Sequence, residues 1–100
     1  MRRLGESCRK GSCVVLLNHG LLTHAPTIWG ALQRLYMLER ACELELISRT
    51  LGEAPVPIAD DVIAGVAAYM KSARAKPDYG LHEWNALLRA IDNKGTDYRR

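Results

Sequence analysis

The chain has 100 residues, of which 48% are hydrophobic and 25% are charged, so it is long enough for one small domain and too apolar for a disordered chain. The longest apolar run is far shorter than a membrane span, and three cysteines without framework spacing predict a cytoplasmic protein. The formal net charge is +3, and its basic residues gather at the two ends rather than on one interior face, which argues against nucleic-acid binding.

The first fifth of the chain predicts a polar lead-in followed by a strand hairpin. Residues 1–12 are polar and precede the domain proper. Residues 13–17 form a continuous, partly β-branched apolar run, which is typical of a strand buried on both faces. Residues 21–23 can form a short partner strand, and Gly20 between the two runs suits a backbone conformation that other residues resist.

A long helix is predicted next. Thr27 can cap its start and Pro26 prevents its extension backward. Apolar residues then recur at three- and four-residue steps until the helix ends near Gly52. This stripe consists of Ala31, Leu32, Leu35, Leu38, Cys42 and Leu46. Glu45 and Arg49, four residues apart, are expected on the wetter side of the helix.

The second half of the chain predicts a linker and two further helices. Residues 53–57 contain two prolines and form a stiff linker. A second amphipathic helix is predicted from Asp60 or Asp61 to a point before Pro77. A third, short helix brings together Trp84, Leu87, Leu88 and Ile91. The single domain therefore divides into the lead-in at 1–12, the strand, turn and long helix at 13–52, and a helical tail at 53–100.

The predicted elements include too few strands for a complete sheet, since only two strands accompany the three helices. A strand that is apolar on both faces needs neighbouring strands and two covering layers. The sequence offers only one short partner strand, so the sheet that would receive this strand is missing. The chain is either a fragment of a larger α/β domain, or it packs its strand against helices and a second copy of itself.

Three segments together resemble the class II aldolase/adducin family. They are residues 14–23 (VVLLNHGLLT), residues 38–43 (LERACE) on the long helix, and the tail at 84–92 (WNALLRAID) and 97–100 (DYRR). The tail is similar to the adducin-like branch. The resemblance runs from about residue 12 to the last residue and covers the second half of the family's domain. It implies the fold class α/β, as the C-terminal half of a three-layer α/β/α domain in which a strand hairpin is followed by three helices.

The resemblance also implies a metal site. Family members hold a divalent metal, usually zinc, through an upstream His-x-His pair and the histidine of the Asn-His-Gly turn, which here is His19. The chain lacks the other two ligands, so a metal is expected only if another segment supplies them. Asn18, Gly20 and Tyr98 are weaker candidates for contact with substrate or a neighbouring subunit, and no catalytic residue is assigned.

Other candidate ligands have simpler interpretations. Cys8, Cys13, His19 and His24 lie within seventeen residues, but their spacing departs from that of zinc fingers. We expect His24 to cap a loop and His82 to lie in solvent. Glu39 and Glu43 are interpreted as a solvated or subunit-facing stripe rather than an acid–base pair.

The chain also departs from the family pattern at two places. Ala25-Pro26 stands where relatives place glycine and a basic residue, which predicts a reshaped turn. Trp29 and Gly30 replace the usual acidic residues at the start of the long helix, and this predicts a helix of lower stability.

Three functions remain open. A complete family domain would be a metal-dependent carbon–carbon lyase or epimerase that acts on small sugar phosphates or keto compounds as a homotetramer. An adducin-like member would instead be a non-catalytic, actin-associated scaffold. The third possibility is a truncated product without activity.

Overall fold

The computed structural model describes residues 2–95, with only the backbone of Arg2, and shows a two-stranded hairpin among four helices. The hairpin, the linker and the three helices predicted after it are confirmed. Tyr98 and the rest of the final segment lie outside the described residues. The elements are α1 (Arg2–Lys10), β1 (Cys13–Leu16), β2 (Gly20–Thr23), α2 (Ile28–Thr50), α3 (Asp60–Arg74) and α4 (Leu81–Asn93).

Helix α1 (Arg2–Lys10) lies in the segment for which the sequence predicts only a polar lead-in. It is attached to the loop after β2 through His24. The Nε2 atom of His24 lies 2.8 Å from the carbonyl oxygen of Cys8 and 3.0 Å from that of Gly11, and its backbone N–H donates to the carbonyl of Ser12. The loop-binding role expected of His24 is thus confirmed, and it fixes the end of α1 beside the hairpin.

The two strands pair antiparallel, with Cys13 opposite Thr23 and Leu16 opposite Gly20. Exposed and half-buried residues alternate along β1, which is the pattern of a strand covered on one face. The prediction that residues 13–17 are buried on both faces is therefore wrong for this chain: Val15 is 69% and Leu17 is 90% exposed. The reason is that the sheet has only these two strands among the described residues.

Helix α2 is joined to the hairpin at its first turn. The hydroxyl of Thr27 accepts a hydrogen bond of 3.0 Å from the backbone N–H of Gly30, which confirms the predicted cap. The Thr23 hydroxyl in β2 donates to the carbonyl of Ala31 over 2.8 Å. These contacts hold the start of α2 against the strand.

The loop before α4 also packs against the start of α2. The Trp29 indole N–H donates to the carbonyl of Pro77 over 3.0 Å. Gly80 is buried with φ +84, and a Cβ placed there would lie 2.5 Å from the carbonyl oxygen of Trp29. Gly30 is also buried. The sequence predicted only a less stable helix from Trp29 and Gly30. In the structure, both residues contact the loop before α4.

No hydrophobic residue in the described part of the chain is fully buried. Five members of the predicted α2 stripe are half-buried, whereas the sixth, Leu46, is 67% exposed. Helix α3 also exposes most of its apolar residues, with Tyr69 at 71%, while Met70 and Ala73 are half-buried. Within the described range, no helix is long and apolar enough to cross a membrane.

Candidate functional site

The Asn-His-Gly segment forms the tight turn of the hairpin. The backbone N–H of His19 donates to the carbonyl of Leu16 over 3.1 Å, which closes a four-residue turn. Asn18 has φ +54 and Gly20 has φ +153. Asparagine tolerates the left-handed region better than most residues, and glycine adopts such angles freely. The backbone therefore explains both residue types without any ligand.

The turn projects His19 into solvent. Asn18, His19 and Gly20 are all exposed, so the structure brings these three predicted site residues together on one surface. The His19 ring forms no hydrogen bond to another described residue. Its position is set by the backbone turn, and its two ring nitrogens face no competing protein partner within the described residues.

A shallow hollow lies next to this turn, between β2 and α2. Its volume is about 450 Å³, and it is lined by Gly20, Leu21, Leu32, Leu35, Tyr36 and Glu39. The Glu39 carboxylate is exposed, and Glu43 pairs with Arg40 over 2.6 Å. Exposure in a single chain fits both a solvated and a subunit-facing stripe, so that choice stays open, and Glu39 also borders the hollow.

The described residues do not by themselves fit a metal ion. A zinc site takes three or four ligands, and residues 2–95 contain no group of three or more His, Cys, Asp or Glu side chains placed to hold one. His24 is engaged with backbone carbonyls, as described above. His82 lies exposed at the start of α4, as expected.

A basic cleft between the start of α2 and the end of α3 was not predicted from the sequence. Four cationic side chains line it: Arg34, Lys71, Arg74 and Lys76. The close spacing of Lys71, Arg74 and Lys76 in the sequence could have indicated a basic surface. The contribution of Arg34, 37 residues before Lys71, becomes evident only in the tertiary structure.

Comparison with known proteins supports the family resemblance over the first half of the chain. Residues 1–46 match the family model described as Class II Aldolase and Adducin N-terminal domain. The match thus includes residues 1–12, which were interpreted from sequence as a lead-in.

A curated relative extends the similarity along the chain. The "Putative aldolase class 2 protein" of Pseudomonas aeruginosa is 30% identical over 102 residues, which cover 98% of this chain and 39% of that protein. The chain thus spans about two fifths of the length of this relative. No solved structure gives a significant match. The segment that carries α1, the hairpin and most of α2 is therefore similar to the Class II Aldolase and Adducin N-terminal domain.

Proposed function

We propose that this chain is part of a class II aldolase-type domain and that His19 contributes one ligand to its metal. The observation that carries the proposal is the placement of His19 on an exposed, backbone-defined turn within the segment that matches the family. Class II aldolases depend on a metal ion. The relative from Pseudomonas aeruginosa is also named as an aldolase.

The geometry of the hairpin suits this role for His19. Metal-binding histidines must present a neutral ring nitrogen without a competing hydrogen bond on the same atom. The turn uses the backbone N–H of His19 and leaves the ring exposed. Asn18 and Gly20 adopt the two unusual backbone angles of this turn, and contact of either residue with substrate or a neighbouring subunit stays a prediction.

The remaining parts of the site would come from outside the chain. In this proposal another segment supplies the His-x-His pair and the acid–base carboxylate, and zinc is the expected metal. The complete protein would be a carbon–carbon lyase or epimerase for small sugar phosphates or keto compounds, assembled as a homotetramer in the cytoplasm. The length of the relative, of which this chain covers 39%, supports such an extension.

The decisive measurement is zinc affinity in the longest natural polypeptide that contains this sequence. His19→Ala is expected to weaken zinc binding by about tenfold or more, because one of three imidazole ligands is removed. His82→Ala is the matched control, since His82 is exposed on another element. Unchanged zinc affinity in His19→Ala would overturn the assignment of His19.

The size of the endogenous protein should be measured before the zinc-binding experiment. An antibody against residues 92–100 should detect a band at roughly twice 11.1 kDa or more if the chain is part of a complete domain. A band only at 11.1 kDa would contradict the proposed metal site and would favour an inactive product.

The adducin-like scaffold is the second candidate function, and the sequence of α4 supports it through its resemblance to that branch. Under this alternative, the protein sediments with actin filaments, and His19→Ala leaves that sedimentation unchanged. Zinc binding through His19 without actin sedimentation would instead favour the aldolase.

A further inference from the structure

The basic cleft is a concave feature on a different part of the chain from the hairpin turn. It has a volume of about 660 Å³ and lies between the first two turns of α2, the C-terminal half of α3 and the loop that follows α3. That volume is in the range of pockets that take small molecules. None of its lining residues belongs to the turn that carries His19, so the cleft is separate from the proposed metal ligand.

All of the charged residues that line the cleft are positively charged. Its four cations are Arg34, Lys71, Arg74 and Lys76, and no acidic residue is among its lining residues. None of the four forms an ion pair with a residue in the described range. Like charges held on the walls of one cleft repel each other and focus a positive potential inside it. A bound anion would relieve that repulsion.

Arg34 is held at the cleft by a backbone carbonyl rather than by a carboxylate. Its guanidinium donates to the carbonyl of His24 over 2.5 Å. Its Nε atom is buried and has no hydrogen-bond partner among the described residues. The positive charge of this side chain is therefore positioned but not neutralised.

The helix termini at the cleft partly offset each other. Thr27 and Gly30 line it at the start of α2, where the helix dipole is positive and the first turn contains no acidic residue. Lys71 and Arg74 lie in the last turn of α3, where the dipole is negative and compensates part of their charge. Arg34, Lys76 and the start of α2 leave a net positive excess.

We propose that this cleft binds a small multivalent oxyanion, carried on a phosphorylated or polycarboxylate molecule. Lysine ammonium groups and an arginine fork are the groups that bind such oxyanions in proteins. A single monovalent anion would neutralise only one of the four positive charges that line the cleft. The cleft is open on one side, and its cations lie on two helices and one loop around a volume suited to a small molecule.

The test titrates the full 100-residue chain with pyrophosphate and, separately, with citrate, at an ionic strength kept constant with sodium chloride. A ligand that binds the folded chain stabilises it. We therefore expect a saturable rise in helical circular dichroism at 222 nm and saturable shifts of the Thr27 and Gly30 amide resonances. The stronger of the two ligands identifies phosphate or carboxylate as the preferred group.

Matched charge variants decide whether the cleft is responsible. The pair Lys71→Gln and Arg74→Gln should weaken binding by about tenfold or more, because both substitutions remove a charged donor that would bind the oxyanion. The pair Arg89→Gln and Lys94→Gln removes the same charge at α4, outside the cleft, and should leave affinity within about twofold. His19→Ala should also bind normally.

Two outcomes would overturn the proposal. One is a response without saturation in the unmodified chain, which indicates only general screening by salt. The other is equal weakening of binding in the two double variants, which indicates that net charge rather than the cleft attracts the anion. Neither outcome bears on zinc binding by His19, so the two proposals fail independently.

Discussion

Gly80 is the residue at which the loop before α4 comes closest to α2. Its φ of +84 lies in the left-handed region, and a Cβ there would meet the Trp29 carbonyl oxygen at 2.5 Å and the Gln33 Cβ at 2.9 Å. Both the backbone angle and the close approach therefore require glycine. Local sequence does not reveal this requirement, because the partner atoms lie about fifty positions earlier in the chain.

Gly80→Ala is expected to lower the free energy of unfolding by about 2 kcal/mol, the sum of left-handed strain and steric overlap. Gly52→Ala is the matched control. Gly52 has φ +73 but no atom within 4 Å of a new Cβ, so its substitution should cost roughly 1 kcal/mol from strain alone. Urea unfolding followed at 222 nm measures both, and equal destabilisation would show that the close approach to α2 contributes nothing.

The turn that carries His19 shows a feature that the sequence did predict. Gly20 was expected to adopt a backbone conformation that other residues resist, and its φ of +153 confirms this expectation. Gly30 shows the opposite case, since its propensity predicted only a weaker helix. Its burial against Ala25, Thr27 and the loop before α4 is a tertiary contact that local propensity does not contain.

Helix α2 illustrates how much of an element the sequence predicts. Its start follows from Thr27, its length from the apolar repeat, and its end from the residues before Gly52. The Arg49–Glu45 pair forms as expected, with 2.8 Å between Nε and Oε1. Both side chains are largely exposed, so this pair contributes little to stability.

The Thr27 cap gives a direct test at the scale of the element. Thr27→Ala removes the acceptor for the Gly30 N–H and should cost about 1 kcal/mol of stability. Thr27→Ser keeps the hydroxyl and should retain most of the helical signal. Circular dichroism at 222 nm during urea unfolding compares the two, and a serine variant as unstable as the alanine variant would contradict the capping role.

Helix α1 was missed for a physical reason. It has nine residues, includes Gly5, and carries few apolar side chains, so it lacks the length and pattern by which an isolated helix is recognised. The hydrogen bonds of His24 with Cys8 and Gly11 hold its end instead. They join residues 13 to 16 positions apart and leave no local periodic signal.

The molecule as a whole is less compact than a typical domain of its size. Its accessible area is 8687 Å², whereas a compact protein of this mass exposes about 5,700 Å². Its radius of gyration is 16.6 Å, against about 13 Å for a compact domain of 100 residues. These values agree with the prediction that the chain has too few strands for a complete sheet. The apolar faces of its strands and helices are left partly uncovered.

The isolated chain is accordingly expected to be marginally stable, to give a weak helical signal and to self-associate through its open strand edge. Val15→Lys places a charge on the exposed face of β1 and should raise the monomer fraction in sedimentation velocity. Val56→Lys, in the exposed linker, is the control and should change association little. A sharp two-state melt of a monomer would contradict this expectation.

Local sequence was sufficient to predict the order of the hairpin and the three longer helices, the Asn18-His19-Gly20 turn and the family resemblance. These features depend on local backbone preference and on short-range apolar repeats, which neighbouring residues encode. Only the tertiary structure decided the exposure of β1, the close approach at Gly80 and the meeting of Arg34 with the cations of α3. Each of these depends on which distant segments come together, and the free energy of their association is absent from any local pattern.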